Sequence, residues 1–299
     1  MKKIEYSYCN SNDLNVEDIK EIIELLNCVF TDPLMPFTYK WFKWKFIQNP
    51  FGPSFCFIAK NNGSIIGVRF LWAWQFHAEN RANCYYQAVD SAVSKKFRGQ
   101  GIFKKLNQMI IDFANEKKYF IYNFPNENSY PIYKKMGWID LIENTYWEIF
   151  PTVPFFNLGY KYLFKNFKTK NNIISTNWSD NIIQWRFIDH PYFNYNLYKI
   201  NNSSICIVYQ IHKGIINRVE IILKPLEINY FEFKQFIKHL KKTIGYFFLI
   251  QYTSSINFGV NNWSFRIRKK SRLNYVLKEY TGSENKYQFF LQKADMDCY

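Results

Sequence analysis

Val93-Ser-Lys-Lys-Phe-Arg98-Gly-Gln-Gly-Ile-Phe103 is the stretch on which the reading of this chain turns. Ahead of it, Tyr85 to Val93 reads as a strand. Behind it, Ile102, Leu106, Met109, Ile110 and Phe113 recur on one face of a helix over Ile102 to Glu116. The junction is Arg98-Gly99-Gln100-Gly101. Glycines there let backbone N–H groups come close to an anion, and the helix start adds unpaired donors and the positive end of a dipole. Arg98, with Lys95, Lys96, Lys104 and Lys105, adds charge. Such a loop suits a pyrophosphate, although Gly-x-Gly before a helix is by itself also an ordinary tight turn. Two other nucleotide loops are excluded. A P-loop needs Lys after its last glycine, where Ile102 stands, and a dinucleotide fingerprint needs a glycine at Lys104.

Working outward, Val16 to Phe30 has helical apolar spacing with Asn15 as its cap. Phe55 to Ala59 and Ile65 to Trp74 flank Asn62-Gly63, a hairpin signal. Tyr119 to Phe124 is a short buried-type strand. Ser129 is positioned to cap a helix starting near Pro131 and ended by Gly137, and Tyr146 to Phe150 adds a last strand. The order of elements predicts a mixed α/β sheet (α+β) with a boundary near residue 150, where Pro151 and Pro154 stand.

The glycine-rich stretch resembles the pyrophosphate motif of the GNAT superfamily of acyl-CoA-dependent N-acyltransferases, Arg/Gln-x-x-Gly-x-Gly/Ala. Phe103 departs from the small last residue. Asn126-Glu-Asn-Ser129-Tyr-Pro-Ile-Tyr133-Lys-Lys-Met-Gly137-Trp138 resembles the family's second block, Asn-x-x-Ala-x-x-x-Tyr-x-x-x-Gly-Phe, with Ser129 for Ala and Trp138 for Phe. Together the blocks cover roughly residues 85 to 140. The resemblance implies a GNAT fold and acetyl-CoA or another acyl-CoA as co-substrate. It implies that the backbone of Ser91, Ala92 and Val93 pairs with the pantetheine arm. Arg98, Gly99, Gln100, Gly101, Ile102 and Phe103 would hold the pyrophosphate, with Asn126 and Ser129 also at the cofactor. Tyr133 would protonate the leaving thiolate. That role fits a phenol, whose pKa is about 10 against about 8.5 for a thiol; the plainer alternative is a buried tyrosine with a bonded hydroxyl. An amine acceptor must also lose a proton. Asp90 and Glu127 are the candidate bases, with His77 behind them. In a regular strand Asp90 would face away from Ser91, and a bulge would re-aim it.

The length, 299 residues, allows one large domain or two ordinary ones. Trp44-Lys-Phe-Ile-Gln-Asn-Pro50 is echoed by Trp185-Arg-Phe-Ile-Asp-His-Pro191. Strand-rich stretches Asn196 to Tyr209 and Ile215 to Leu223 follow, then a helix at Phe231 to Lys242 and a strand at Tyr246 to Tyr252. This predicts two domains on one plan, 1–150 for acyl-CoA and 151–299 completing the acceptor site, the second lacking the pyrophosphate loop. The net charge of +15 and the 30 Phe, 23 Tyr and 9 Trp suit a polyanionic partner, although solvated lysines and plain composition explain much of both. Six cysteines without a CxxC pair and four histidines argue against a structural metal. No signal peptide or membrane span is read, so a cytoplasmic location is expected.

The Trp-x-Phe-Ile-x-x-Pro segment and Phe124-Pro-Asn-Glu-Asn-Ser-Tyr130 resemble a bacterial GNAT subgroup linked to surface-polysaccharide biosynthesis. That resemblance implies a nucleotide-linked amino sugar as acceptor and no nucleic-acid partner. The alternatives are acetylation of a protein, peptide or small amine, a non-catalytic nucleic-acid binder, and a scaffold that binds coenzyme A without chemistry.

Overall fold

The computed structural model describes residues 3–31, 35–78, 81–127, 129–142, 146–152, 173–200, 206–225, 228–254, 267–270, 275–278, 288–289 and 291–296. Pro154, named above, lies outside them. The first half runs β1 (Glu5–Asn10), α1 (Val16–Val29), α2 (Tyr39–Phe42), β2 (Phe55–Asn61), β3 (Ser64–Ala78) and β4 (Arg81–Val93). It continues with α3 (Ile102–Lys117), β5 (Phe120–Asn123), α4 (Tyr130–Lys135), β6 (Ile139–Ile142) and β7 (Tyr146–Thr152). The second half runs β8 (Ile173–Thr176), α5 (Asp180–Ile183), β9 (Asn196–Lys199), β10 (Cys206–His212), β11 (Asn217–Leu223) and α6 (Tyr230–Ile244). The remaining strands are β12 (Phe248–Ser254), β13 (Ile267–Lys270), β14 (Tyr275–Lys278) and β15 (Gln288–Phe289).

Local chemistry sets most of these boundaries. Asn15 accepts from the Asp18 N–H (2.8 Å) at the start of α1. Asn62 and Gly63 both have positive φ (53° and 83°), as the two-residue β2–β3 turn requires. Ser129 does not cap α4 as expected. Its own backbone is helical, and no side chain caps the helix. Asn126, three residues earlier, instead accepts the Ser129 N–H (2.9 Å).

The first sheet has the order β1-β2-β3-β4-β5-β14-β6, and the second β13-β7-β12-β11-β10-β9. Each sheet contains a parallel pair bridged by a helix, β4 and β5 around α3 and β11 and β12 around α6. Off the first sheet's main order, β8 pairs antiparallel with β3 and parallel with β15. The halves exchange a strand. β7 pairs antiparallel with β12 and β13, and β14 pairs antiparallel with β5 and β6. The last strand expected of the first sheet therefore lies inside the second, between β12 and β13.

α1 and α2 cover one face of the first sheet, burying Ile22, Leu26, Trp41 and Phe42 against Phe70, Trp72 and Trp74. α3 and α4 cover the other with Leu106, Ile110, Phe113 and Tyr133. α6 packs Phe233, Phe236 and Leu240 on the second sheet. Gly67 on β3 lets α3 sit this close: a Cβ there would lie 2.9 Å from Ile102 Cγ2. No helix among the described residues is long and apolar enough to cross a bilayer.

The repeated motif forms the seam between the halves. Both copies are π-helical, at Lys43–Ile47 and Gln184–Ile188. Trp44 Nε1 donates to the Trp185 carbonyl (2.7 Å), and Trp185 Nε1 returns the bond to Trp44 (2.8 Å). The indoles stack with centroids 5.5 Å apart.

Candidate active site

The β4–β5 ladder runs through Tyr85↔Phe120, Tyr86↔Ile121 and Gln87↔Tyr122, and ends there, while β4 continues to Val93. A bulge lies in the continuation. Val68 pairs with Ala92 and Phe70 with Val89, so Asp90 and Ser91 together oppose Arg69. Asp90 sits at φ +46°, a left-handed conformation that costs an ordinary residue about 1–2 kcal/mol. Bulges bend a strand and re-aim its side chains, and the result is a wedge open between β4 and the start of α4. Asp90, mostly buried, meets Lys45 Nζ at 2.7 Å.

Tyr133 enters the wedge from α4 and is 2% exposed. Its hydroxyl oxygen accepts from Arg69 Nη2 and from Asn123 Nδ2, while Arg69 Nη1 donates to Ser91 Oγ. With two donors aimed at its oxygen, the phenol keeps its own O–H to give. Arg69 is 1% exposed, and its Nε has no partner among the described residues. Its guanidinium carbon lies 5.4 Å from the ring centroids of both Phe103 and Tyr133. This explains the large residue at 103: the ring packs on the buried cation.

The glycine-rich loop lies exposed at the rim of the wedge. Gly99 (φ +78°) and Gly101 (φ +75°) take left-handed conformations, and no side chain caps α3, so its first-turn N–H groups face outward. Arg98 is exposed and bonds Val93 O through Nε (3.4 Å). Ser91, Phe103, Asn126, Ser129 and Tyr133 line a common cleft with Asp90. Glu127 stands on the exposed turn after β5 and outside that lining. His77 lies eight residues along β3 from Arg69, about 26 Å in an extended strand.

The cleft, about 590 Å³, extends from Tyr133 past Asp90 into an aromatic chamber between the halves, within the size range of small-molecule sites. Trp41 and Trp44 wall it from the first half, Tyr192 and Phe193 from the second. Lys45 and Arg186, which occupy the same position in the two motif copies, both line it and both sit 5.2 Å from the Trp72 ring. His190 Nδ1 accepts the N–H groups of Tyr192 (3.2 Å) and Phe193 (3.1 Å). Burial first, then Arg186 and Lys45, push its pKa down to about 3. The ring is therefore neutral, with its proton on Nε2. Gln87 is 1% exposed, and its Oε1 has no partner among the described residues.

Arg69, Lys45, Gln87, Asn123, Arg186 and His190 were not singled out from the sequence. The signals were present. Arg69 interrupts an apolar strand pattern, and Lys45 and Arg186 are the matched cations of the echoed motif.

Splayed parallel strands, an uncapped helix after a glycine loop and a buried phenol are the features of the GNAT fold. Residues 19–138 match the model of the acetyltransferase (GNAT) family. A crystal structure from Enterococcus faecalis V583, described as a conserved protein of unknown function and probable N-acyltransferase, superposes with TM-score 0.65 at 13% identity. That match covers 92% of this chain and 73% of the other. A GCN5-related N-acetyltransferase from Anabaena variabilis gives TM-score 0.65 at 12% identity, covering 93% and 73%. One from Kribbella flavida gives 0.52 at 9%, covering 93% and 71%. No curated protein matches the sequence.

Proposed function

We propose that the chain transfers an acyl group from acyl-CoA to the amine of a nucleotide-linked amino sugar held in the chamber between its halves. The carrying observation is one continuous cleft joining the wedge at Tyr133 to an aromatic, cation-bearing chamber, with Asp90 between them. The aromatic walls suit planar and sugar rings, Lys45 and Arg186 suit phosphates, and Gln87 Oε1 suits an N–H donor. In this reading residues 1–150 supply the cofactor side and 151–299 complete the acceptor side, with β7 and β14 exchanged. A cytoplasmic setting, where acyl-CoA is made, follows from it.

Acyl-CoA supplies the thioester. The unpaired β4 edge over Ser91 to Val93 would take the pantetheine amides as an added strand, and the N–H groups from Gly99 to Phe103, with Arg98, would take the pyrophosphate. N–H groups near Ala92 would polarise the thioester carbonyl. As the amine nitrogen bonds to the carbonyl carbon and the C–S bond breaks, Asp90 accepts the amine proton, directly or through one water. Tyr133 gives its O–H proton to the sulfur. Of the two candidate bases, Asp90 is favoured because it lines the cleft and Glu127 does not. Arg69, against the phenol oxygen, offsets the negative charge that develops there.

The test is direct. Acetyl-CoA should raise the melting temperature by linkage, and Arg98→Ala should weaken that shift. Tyr133→Phe should lower kcat at least tenfold with little change in the shift. Among nucleotide-linked amino sugars, free amino sugars and peptides offered as acceptors, the first should give the highest kcat/KM. A preference for peptides would overturn the acceptor assignment, and full turnover by Tyr133→Phe would overturn the role of Tyr133.

A further inference from the structure

Two links reach the same edge of the second sheet. β11 and β12 run parallel with Asn217 opposite Phe248. The residues just ahead of each strand, Ile215–Ile216 and Tyr246–Phe247, therefore emerge side by side. Asn217 Nδ2 bonds the Ile244 carbonyl (3.5 Å) and ties the links together. Sequence periodicity placed Ile215 and Tyr246 inside strands, but both strands begin two residues later. The apolar side chains are left outside, with relative exposures of 108% and 56% for Ile215 and Ile216 and 63% for each of Tyr246 and Phe247.

Single exposed apolar residues are normal in soluble proteins. Four on adjacent loop tips form a patch of the kind that marks a contact surface. Its rim is cationic. Residues 211–218 contain Lys213 and Arg218, residues 238–248 contain Lys238, Lys241 and Lys242, and neither segment contains Asp or Glu.

We propose that this edge docks the protein on an anionic membrane surface. Ile215, Ile216 and Phe247 insert at the boundary of headgroups and acyl chains. The Tyr246 hydroxyl and the lysine ammonium groups stay among the lipid phosphates. Charge complementarity selects this partner: a rim of one sign faces a surface of the other, and apolar tips project beyond it. A nucleic acid would use the cations but gain little from two aliphatic tips, and an acidic protein groove would be distinguished by competition. The patch lies away from the cleft, whose second-half lining is Arg186, His190, Tyr192 and Phe193. The inference is thus independent of the acceptor proposed above.

Cosedimentation of the full chain with vesicles tests it. Binding is expected to equimolar phosphatidylglycerol and phosphatidylcholine, with little to phosphatidylcholine alone, and should weaken as salt rises from about 0.05 to 0.5 M, as charge screening requires. Ile215→Ser/Phe247→Ser and Lys213→Glu/Lys242→Glu should each weaken binding at least tenfold while the acetyl-CoA thermal shift stays unchanged. If the first double variant is unstable, Ile215→Ser alone should still give a severalfold loss, since that side chain is fully exposed. Three results would overturn the proposal: no binding of the intact chain to anionic vesicles, undiminished binding by the serine variants, or displacement by an acidic protein or duplex DNA whose own binding ignores those substitutions.

Discussion

A guanidinium buried without a carboxylate costs several kcal/mol unless its surroundings use the charge, and Arg69 spends all of its described bonds on Ser91 and Tyr133. If it acts through the phenol, Arg69→Met should lower kcat about 100- to 1,000-fold, the range for loss of a charge-stabilising donor, with KM for acyl-CoA changing much less. Combined with Tyr133→Phe the effects should not add, whereas a purely structural role would add in the melting temperature. Arg69→Lys should rescue only partly, because one ammonium lacks the planar fork that reaches both partners. His190 gives a second prediction at this scale. Its folded pKa, about 3, lies below the ordinary 6.5, so its contribution to stability is complete above pH 6.5 and is lost as pH falls towards 3. Asn49, at the same position in the first motif copy, accepts the Phe51 N–H (3.0 Å) much as His190 accepts its two. His190→Asn should therefore keep the turn and remove the titration. Its melting temperature relative to the parent should rise between pH 7 and pH 5; a constant difference would refute the buried neutral imidazole.

At the scale of elements, the β3–α3 contact fixes where the glycine-rich loop sits. Gly67→Ala would drive its Cβ against Ile102, the first residue of α3. Overpacking of this kind costs about 1–3 kcal/mol. A lower denaturation midpoint is expected, together with a smaller acetyl-CoA thermal shift, because the helix start and the N–H groups proposed to hold the pyrophosphate move together. Much of this region was legible in the sequence. Glycines with positive φ, an Asn-Gly hairpin and a helix with an apolar stripe are local features, and local sterics write them into local sequence. What was hidden depended on partners distant in the chain. Period-two patterning marks Tyr146 to Phe150 as a strand without saying which sheet receives it, so the exchange of β7 with β14 could not be read. The bulge at Asp90 is a mismatch between two strands, visible in neither alone. Ser129 was misplaced as a cap because its backbone is already helical and its own N–H is taken by Asn126.

The whole molecule is joined by more than the reciprocal tryptophans. Trp74 Nε1 on β3 donates to Thr176 Oγ (2.8 Å), and Thr176 donates to Asp295 (2.5 Å). Asp295 also accepts the Gln292 N–H (2.7 Å), while the Gln292 side chain holds Tyr252 of the second sheet (2.9 Å) and the Lys224 N–H (2.8 Å). The chain of bonds thus crosses from the first sheet to the second through one buried carboxyl. Burial raises the Asp295 pKa to about 7, outweighing the lowering by Thr176, Gln292 and Arg186. A raised folded pKa means that the protonated form favours the fold. Its contribution is complete below the ordinary 3.8 and is lost as pH rises through about 7. Between pH 6 and pH 8 the loss is of the order of 1 kcal/mol. In a His190→Asn background the chain should therefore melt higher at pH 6 than at pH 8, with the difference removed by adding Asp295→Asn, which keeps an acceptor for the Gln292 N–H. His190 is neutral in the folded state across this window, but its unfolded form titrates near 6.5 and works in the opposite direction, which the His190→Asn background removes. A pH 6 to 8 slope that survives in Asp295→Asn would show that the seam titrates elsewhere. If the slope vanishes, a single proton governs how firmly the two halves, and with them the walls of the chamber between them, are held together.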